Sequence, residues 1–359
     1  MFSCVSKYIT RSVKALVAGR TGKTAFLNMA KTHKNLKVKV ISLCNLYDAY
    51  EKAAANNREA DDHLDFRENL GANLVQLKHE LDTETYRRGN HEFFPVLERK
   101  KRTAANLPFR DKVVQHAVNN IVEPIFDGIF YPCSYSCRAG KGTHKGVIDV
   151  QATIRRVEKE HGVARYLKTD YKKFFPSVNL RVLFREIKRK ISDNWLLRLL
   201  WHLAQNIKGG LIIGDLLSQV QSNIYGHILD RFAKTKLKIK HYFRYADDAV
   251  VIHHCAKYLR IIKRKIQLFS YLYMRMTFSK WQIDKTNRKP LDFLGYRITA
   301  RYKLLRKDSV INAKRKIAIY KKTGQTKKLN MFLASWLGHA RWADSANLIN
   351  HLEKEYAIN

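Results

Sequence analysis

Acidic residues are scarce in this chain. Its 359 residues include 31 Asp and Glu against 68 Lys and Arg, a formal charge of +37. The excess is spread along the sequence, and such a field selects polyanions as partners, nucleic acid first. An anionic membrane surface is the other candidate, but no long apolar run or amphipathic anchor favours it. Cysteine is scarce too: five residues, an odd number, make no disulfide framework. Cys133 and Cys137 in CSYSC lack the second ligand pair of a zinc site, so reduced thiols of a cytoplasmic protein are expected. A phosphate-binding P-loop is missing, because GRTGKT (19–24) has Val17 where that motif needs glycine. There are six prolines, no Pro/Gly-rich linker and no internal repeat. The hydrophobic content, 45%, is that of a globular protein, so a ribosomal-type RNA-binding protein fits the composition as well as an enzyme does.

What is present is an α+β pattern. Residues 1 to about 40 are basic and poorly patterned, and are expected to form a flexible arm or a helix that orders on a partner. Leu70, Leu74, Leu77 and Leu81 fall on one helical face. EFFPVLERKKRTAANLPFRDKVVQHAVNNIVEPIF predicts a short strand, a basic turn and a long helix with Val113, Ala117, Ile121 and Ile125 in its stripe. ARYLKTD predicts a strand ending in Asp170. LRVLFREIKRKI and LLSQVQSNIYGHILDRFAKTKL predict helices, and HYFRYADDAVVIHH a strand–turn–strand. The end of the chain is helical, beginning with a basic helix that turns Val310, Ala313, Ile317 and Tyr320 inward.

The chemistry concentrates in the strand–turn–strand. Asp247 and Asp248 stand side by side in an otherwise apolar run, and unpaired buried charge is costly. A tight turn at 246–248 puts both carboxylates at a hairpin tip, exposed, where a divalent cation relieves their repulsion; Mg2+ takes such oxygen ligands. An ordinary acidic turn satisfies the dipeptide alone. A third carboxylate, Asp170, ends a strand that an antiparallel neighbour can bring beside Asp247. Two ions held there suit an in-line attack of a 3′-hydroxyl with loss of pyrophosphate.

These stretches resemble reverse transcriptases. FRYADDAVV resembles their YxDD box and YLKTDYKKFFPSVN the motif of their first aspartate. LPFRDKVVQHAV, YSCRAGKGTHKGV, GGLIIGDLLSQVQSNIYGHILD, MTFSKWQ and LDFLGYRI follow the family order from about residue 97 to 298. The resemblance implies a right-hand polymerase fold: a basic extension over 1–40, fingers over 41–162 with parts of the palm, an antiparallel palm over 163–299 and a basic helical thumb over 300–359. It implies Asp170, Asp247 and Asp248 as catalytic metal ligands, with the Tyr171 carbonyl added, for two Mg2+ ions or Mn2+ in their place. It puts Phe175 at the steric gate that selects dNTPs, and Lys100, Arg102 and Arg138 where finger cations meet the triphosphate. Ile213, Gly214 and Gln219 fall beside the incoming nucleotide, and Phe293, Leu294, Gly295 and Tyr296 at the primer grip. Lys280 is a loose match to the late-motif lysine. Arg306, Lys307, Lys314 and Arg315 fall on a thumb helix facing the RNA–DNA hybrid.

One departure narrows the resemblance. Most reverse transcriptases carry Gln-Gly where this chain has Ile213-Gly214, and Ser-Pro where it has Ser218-Gln219. Both changes are similar to the pattern of diversity-generating retroelement reverse transcriptases, as are CRAGKGTHKGV, KLLRKDSV and FLASWLGHARWAD. Membership there implies a prokaryotic or phage-encoded enzyme that copies a template-repeat RNA into cDNA with errors at template adenines. It also implies a small basic accessory protein as partner. A group II intron-like or retron-like reverse transcriptase, and a non-catalytic RNA-binding scaffold or maturase, are the alternatives. No endonuclease or RNase H domain is expected after the thumb.

Overall fold

The computed structural model describes residues 32–55, 58–97, 101–205 and 209–356. The basic segment predicted as an arm over 1–40 lies mostly outside these residues, but its last part is packed. His33 bridges to Ile191, and Leu36 and Val40 are buried. Helix α1 (Lys37–Val40) opens the fold, with the Asp193 carboxylate accepting from the Leu36 amide at 2.6 Å. Then come α2 (Leu43–Ala54), α3 (Asp61–Glu68) and α4 (Leu70–Asp82), whose Leu74, Leu77 and Leu81 are buried as their spacing predicts.

An antiparallel hairpin follows, β1 (Glu92–Leu97) with β2 (Lys101–Asn106). The sequence predicts only its first strand, because KRTAAN carries no β-branched alternation. Helix α5 (Phe109–Asp127) is the long helix predicted. Its buried line runs from Val113 and Ala117 to Val122 and Phe126, leaving Ile121 and Ile125 half-buried, since helices on two sides claim adjacent stripes. Helix α6 (Gly142–His161) ends at Gly162, whose φ of 71° is the left-handed conformation glycine takes freely.

The central sheet has the order β4 (Tyr242–Tyr245), β5 (Asp248–His253), β3 (Arg165–Tyr171), β6 (Phe278–Lys285), all pairs antiparallel. Strand side chains alternate between faces. Leu167, Tyr242, Ala249 and Val251 therefore join the core shared with the N-terminal helices and with α8 (Leu180–Ile187), α9 (Asn194–Ala204) and α10 (Leu216–Arg231). Tyr166, Phe243, Val250 and Ile252 join a second core with α6, the small sheet and the C-terminal helices. The short α7 (Phe174–Ser177) follows β3, and α10 runs into one π-helical turn, Phe232–Lys236. Helix α11 (Ala256–Tyr273) packs on β3, β5 and β6.

The small sheet, β7 (Leu291–Phe293), β8 (Tyr296–Ile298) and β9 (Lys303–Leu305), leads into α12 (Lys307–Lys322), α13 (Thr326–Ala340) and α14 (Ala346–Tyr356). In α12, Ala313 and Ile317 are buried, with Val310 and Tyr320 half-buried beside them, as their spacing predicts. Among the described residues, no helix is long and apolar enough to cross a membrane.

Candidate active site

Asp170 and Asp248 are direct cross-strand partners of β3 and β5. Facing residues in a ladder share a face, so Lys168, Asp170 and Asp248 all point to the side of the small sheet. Tyr245 pairs with Asp248, leaving Ala246 and Asp247 as a two-residue loop. Ala246 sits at φ 49°, a left-handed conformation unfavourable for alanine, and so the tip of this hairpin is held under local strain.

The carboxylates are half-buried rather than exposed, which corrects the expectation of a fully solvated tip. Burial, then the negative charges of Asp248 and Asp170, push the Asp247 carboxyl up to about 6. Burial also raises Asp248, and the Lys168 ammonium opposes that rise. Lys168 Nζ lies 3.4 Å from Asp248 Oδ2 and donates to the Asp292 carbonyl at 2.7 Å. Asp170 Oδ2 accepts from Ser279 Oγ at 3.0 Å.

Three oxygen-donor carboxylates with mutual repulsion fit a hard divalent cation. As they stand, no three His, Cys, Asp or Glu side chains among the described residues are gathered tightly enough to hold one. Asp248 is drawn to Lys168 and Asp170 to Ser279. The register between β3 and β6 shifts between Asp170 and Tyr171. The Tyr171 ring is buried, its hydroxyl 2.8 Å from Ser270 Oγ.

Arg244, which sequence reasoning did not single out, braces the turn from the opposite face. It is 1% exposed and forms a fork on Asp230, itself 0% exposed, with Nε–Oδ1 at 2.7 Å and Nη2–Oδ2 at 2.8 Å. Its Nη1 donates to the Ala246 carbonyl at 3.1 Å, and the Tyr242 hydroxyl donates to Asp230 at 2.9 Å. A Cβ on Gly226 would sit 2.3 Å from Arg244 Nη1, so only glycine in α10 admits the guanidinium. A buried fork–fork pair with this geometry fixes a turn strongly. An arginine inside an apolar strand pattern was the available signal.

Around the acids, the predicted residues divide. Arg102 is exposed on β2, close enough to favour the ionised form of Asp247. Arg138 does not join it. Its guanidinium donates to Asp127 at 2.5 Å and to the Tyr131 and Ser134 carbonyls at 2.9 and 3.1 Å, with 9% of the side chain exposed. In this arrangement Arg138 ties a loop together. Lys100 lies outside the described residues. Phe174 is core, while Phe175 is half-buried and its carbonyl accepts from the Leu211 amide at 2.8 Å.

The loop carrying Ile213 docks on the β1–β2 hairpin. The Ala105 amide donates to the Ile213 carbonyl at 2.8 Å. A Cβ on Gly214 would meet the Ala105 carbonyl at 2.2 Å, and its φ of 113° also requires glycine. Asp215, at the N-cap position of α10, turns its carboxylate to His91 Nε2 at 3.1 Å. Gln219 is exposed on the first turn of α10.

Leu294 and Gly295 form the two-residue loop of the β7–β8 hairpin, with φ of 53° and 93°. Phe293 and Tyr296 are buried, and the Tyr296 hydroxyl donates to the His339 carbonyl at 2.9 Å. Arg306 Nε donates to Asp292 at 2.5 Å and Lys314 pairs with Glu355 at 2.9 Å. Lys307 and Arg315 are exposed. Lys280, exposed, is the cross-strand partner of Asp170 on β6.

Comparison with known proteins gives this geometry a family. The model of the family described as "Reverse transcriptase (RNA-dependent DNA polymerase)" matches residues 91–298. Protein YkfC of Escherichia coli (strain K12) is 24% identical over 250 residues, 57% of this chain and 65% of that protein. The group II intron-encoded protein LtrA of Lactococcus lactis subsp. cremoris is 28% identical over 153 residues, 39% of this chain and 24% of that one. The chain thus spans under two-thirds of the length of these relatives. Among solved structures, apo telomerase from Candida Tropicalis overlaps 60% of this chain and 53% of its own, with a TM-score of 0.45 and 14% identity. With the family match covering more than half of the sequence and a mixed helical and antiparallel fold of right-hand polymerase type around the aspartates, the chain belongs to the reverse transcriptase family.

Proposed function

We propose that this chain is an RNA-directed DNA polymerase that extends a DNA primer on an RNA template, and that its class is that of the diversity-generating retroelements. The observation that carries the polymerase reading is the pairing of Asp170 with Asp248, one residue from Asp247 at a strained turn. In this reading Asp170, Asp247 and Asp248 hold Mg2+, with the Tyr171 carbonyl as a further ligand. When bound, the metal lowers the pKa of the primer 3′-hydroxyl and balances charge on the leaving pyrophosphate. The chain's own residues do the placing. Arg244 fixes the turn, Arg102 meets the triphosphate, Phe175 closes the space of a ribose 2′-hydroxyl, and the 293–296 hairpin seats the primer end. The hairpin β1–β2 with the N-terminal helices serves as fingers, the central sheet as palm and residues 300–359 as thumb, with Lys307 and Arg315 toward the hybrid backbone.

The finer class rests on Ile213 and Gln219. An apolar side chain beside the forming base pair donates no hydrogen bond, so discrimination there weakens. Such an enzyme copies a template-repeat RNA, errs at adenines and works with a small basic accessory protein. Similarity to LtrA supports a second reading, a group II intron-like enzyme of ordinary fidelity. Primer extension on a mixed-sequence RNA template with Mg2+ and dNTPs, with sequenced products, separates them. Errors concentrated at template adenines support the first, and faithful DNA the second. No DNA, with or without cognate RNA and accessory protein, refutes both.

A further inference from the structure

Away from the aspartates, α8 and α9 enclose an open groove of about 680 Å³. None of its lining residues belongs to the acidic turn, the β1–β2 hairpin or the β7–β8 hairpin. Arg181, Arg185 and Lys188 stand one helical turn apart on the exposed face of α8 and its C-cap. The other face of α8 buries Val182, Leu183, Phe184 and Ile187, so the helix has no freedom to turn its cations inward. None of the three has an ion-pair partner among the described residues, whereas Arg198 across the groove pairs with Glu84 at 2.7 Å. The groove floor is apolar and aromatic. Trp201 remains 36% exposed and meets Phe184 edge-on at 4.8 Å, which leaves indole surface open to the groove.

The surface does not stop there. Arg185 also borders a second groove, where Lys236 lies without a partner among the described residues and Tyr273 is 37% exposed. The one acid lining that groove, Glu186, is held by Arg189 at 3.1 Å and Arg231 at 3.0 Å. Cations spaced along a helix beside open aromatic faces are what unpaired RNA requires: phosphates for the cations, bases for the rings. A duplex keeps its bases stacked and has no use for the indole face. An acidic protein segment would use the cations and leave the aromatic floor unexplained.

We propose that the α8–α9 groove is a second RNA site, one that holds a single-stranded part of the transcript while the primer–template duplex occupies the cleft. The proposal rests on the polymerase reading for the identity of the RNA, and on Arg181, Arg185, Lys188 and Trp201 for its place. Retaining the transcript at a distance from the reaction keeps a long template attached between rounds of extension.

The test uses the full chain with its cleft saturated by a chain-terminated RNA–DNA primer–template, and a short fluorescent single-stranded RNA as probe. Wild type binds the probe. The triple variant R181E/R185E/K188E weakens binding by at least about ten-fold and flattens its salt dependence. Trp201→Ala weakens it about five-fold, and Trp201→Phe restores it. Extension of a short primer–template is unchanged in all three, and Asp247→Asn binds the probe as wild type does. Probe binding by the triple variant equal to wild type overturns the proposal. So does parallel loss of extension, or a triple variant that loses poly-L-glutamate binding but keeps RNA. A wild type that binds the probe but extends no primer, even with cognate RNA and accessory protein, overturns the polymerase reading and leaves the groove assignment standing.

Discussion

Asp170 and Asp248 sit opposite each other across an antiparallel ladder, and Asp247 stands in the two-residue loop just before Asp248. The three acids are placed by backbone register, not by side-chain reach, so changing one leaves the others where they are. Asp247→Asn therefore removes charge with little change of shape. Primer extension falls by at least about a thousand-fold, while filter binding of RNA stays at the wild-type level. Residual synthesis near the parent rate would sink the metal-ligand assignment.

The same acid contributes to the pH dependence of the metal-free fold. Its carboxyl is raised to about 6 by burial and by Asp248 and Asp170. The folded state thus binds more protons than the unfolded state between the ordinary carboxylate range and that value, and stability is lost as pH rises through this window. Below the window, wild type and Asp247→Asn melt alike. Above it, with chelator present, the variant melts higher by about 2–4 °C, and Mg2+ narrows the gap. Identical melting curves for the two proteins at neutral pH would contradict this.

On the proposed reading, Ile213→Gln supplies a donor beside the forming pair without disturbing the loop, since docking to Ala105 uses the Ile213 carbonyl and the glycine at 214. Errors opposite template adenine fall by about three- to ten-fold. Sequenced extension products decide it; an unchanged error spectrum removes Ile213 from the account.

Two arginines that look alike in sequence part company in kinetics. Arg102→Ala raises the KM for dNTPs by about ten-fold at constant melting temperature. Arg138→Ala leaves KM alone and lowers stability by about 2–3 kcal/mol, because the carbonyls and the Asp127 carboxylate it satisfies lose their partner. Steady-state kinetics beside urea unfolding distinguishes the two, and a raised KM in Arg138→Ala would return it to the substrate.

Arg244→Met leaves the buried Asp230 carboxylate without its cation, with the Tyr242 hydroxyl still donating to it, at a cost of about 3–5 kcal/mol. The double variant Arg244→Met/Asp230→Leu recovers most of that stability. It does not recover extension, because the Ala246 carbonyl still lacks its donor. Full activity in the double variant would show that the turn needs no brace.

How far the residues announced this arrangement depends on the kind of signal. Alternation in ARYLKTD and HYFRYADDAVVIHH was enough for two strands and the acidic turn, because a strand's face is set by parity. Their adjacency as β3 and β5 followed from chemistry: acids need a common partner. Helical stripes such as Leu74, Leu77 and Leu81 were equally plain. The three-residue strands β7 to β9 were not, since so few residues carry no period. The loop contacts of Arg138 were not legible, because a cation in a glycine-rich motif has the same letter whether it meets phosphate or its own loop carbonyls; only the fold supplies Asp127, Tyr131 and Ser134. Lys168 and Arg244 were passed over for a related reason. Each acts through contacts more than ten residues away in sequence, with Asp292, Asp230 and Ser134.

The absent side chain at Gly214 has a mechanical meaning. With the Ala105 carbonyl resting where a Cβ would be, the β1–β2 hairpin and the Ile213 loop are bolted at one joint. If the hairpin moves onto an incoming nucleotide, as the polymerase reading has it, Ile213 moves with it. In such a machine tempo and accuracy are not separate adjustments: stiffen the joint and both change together.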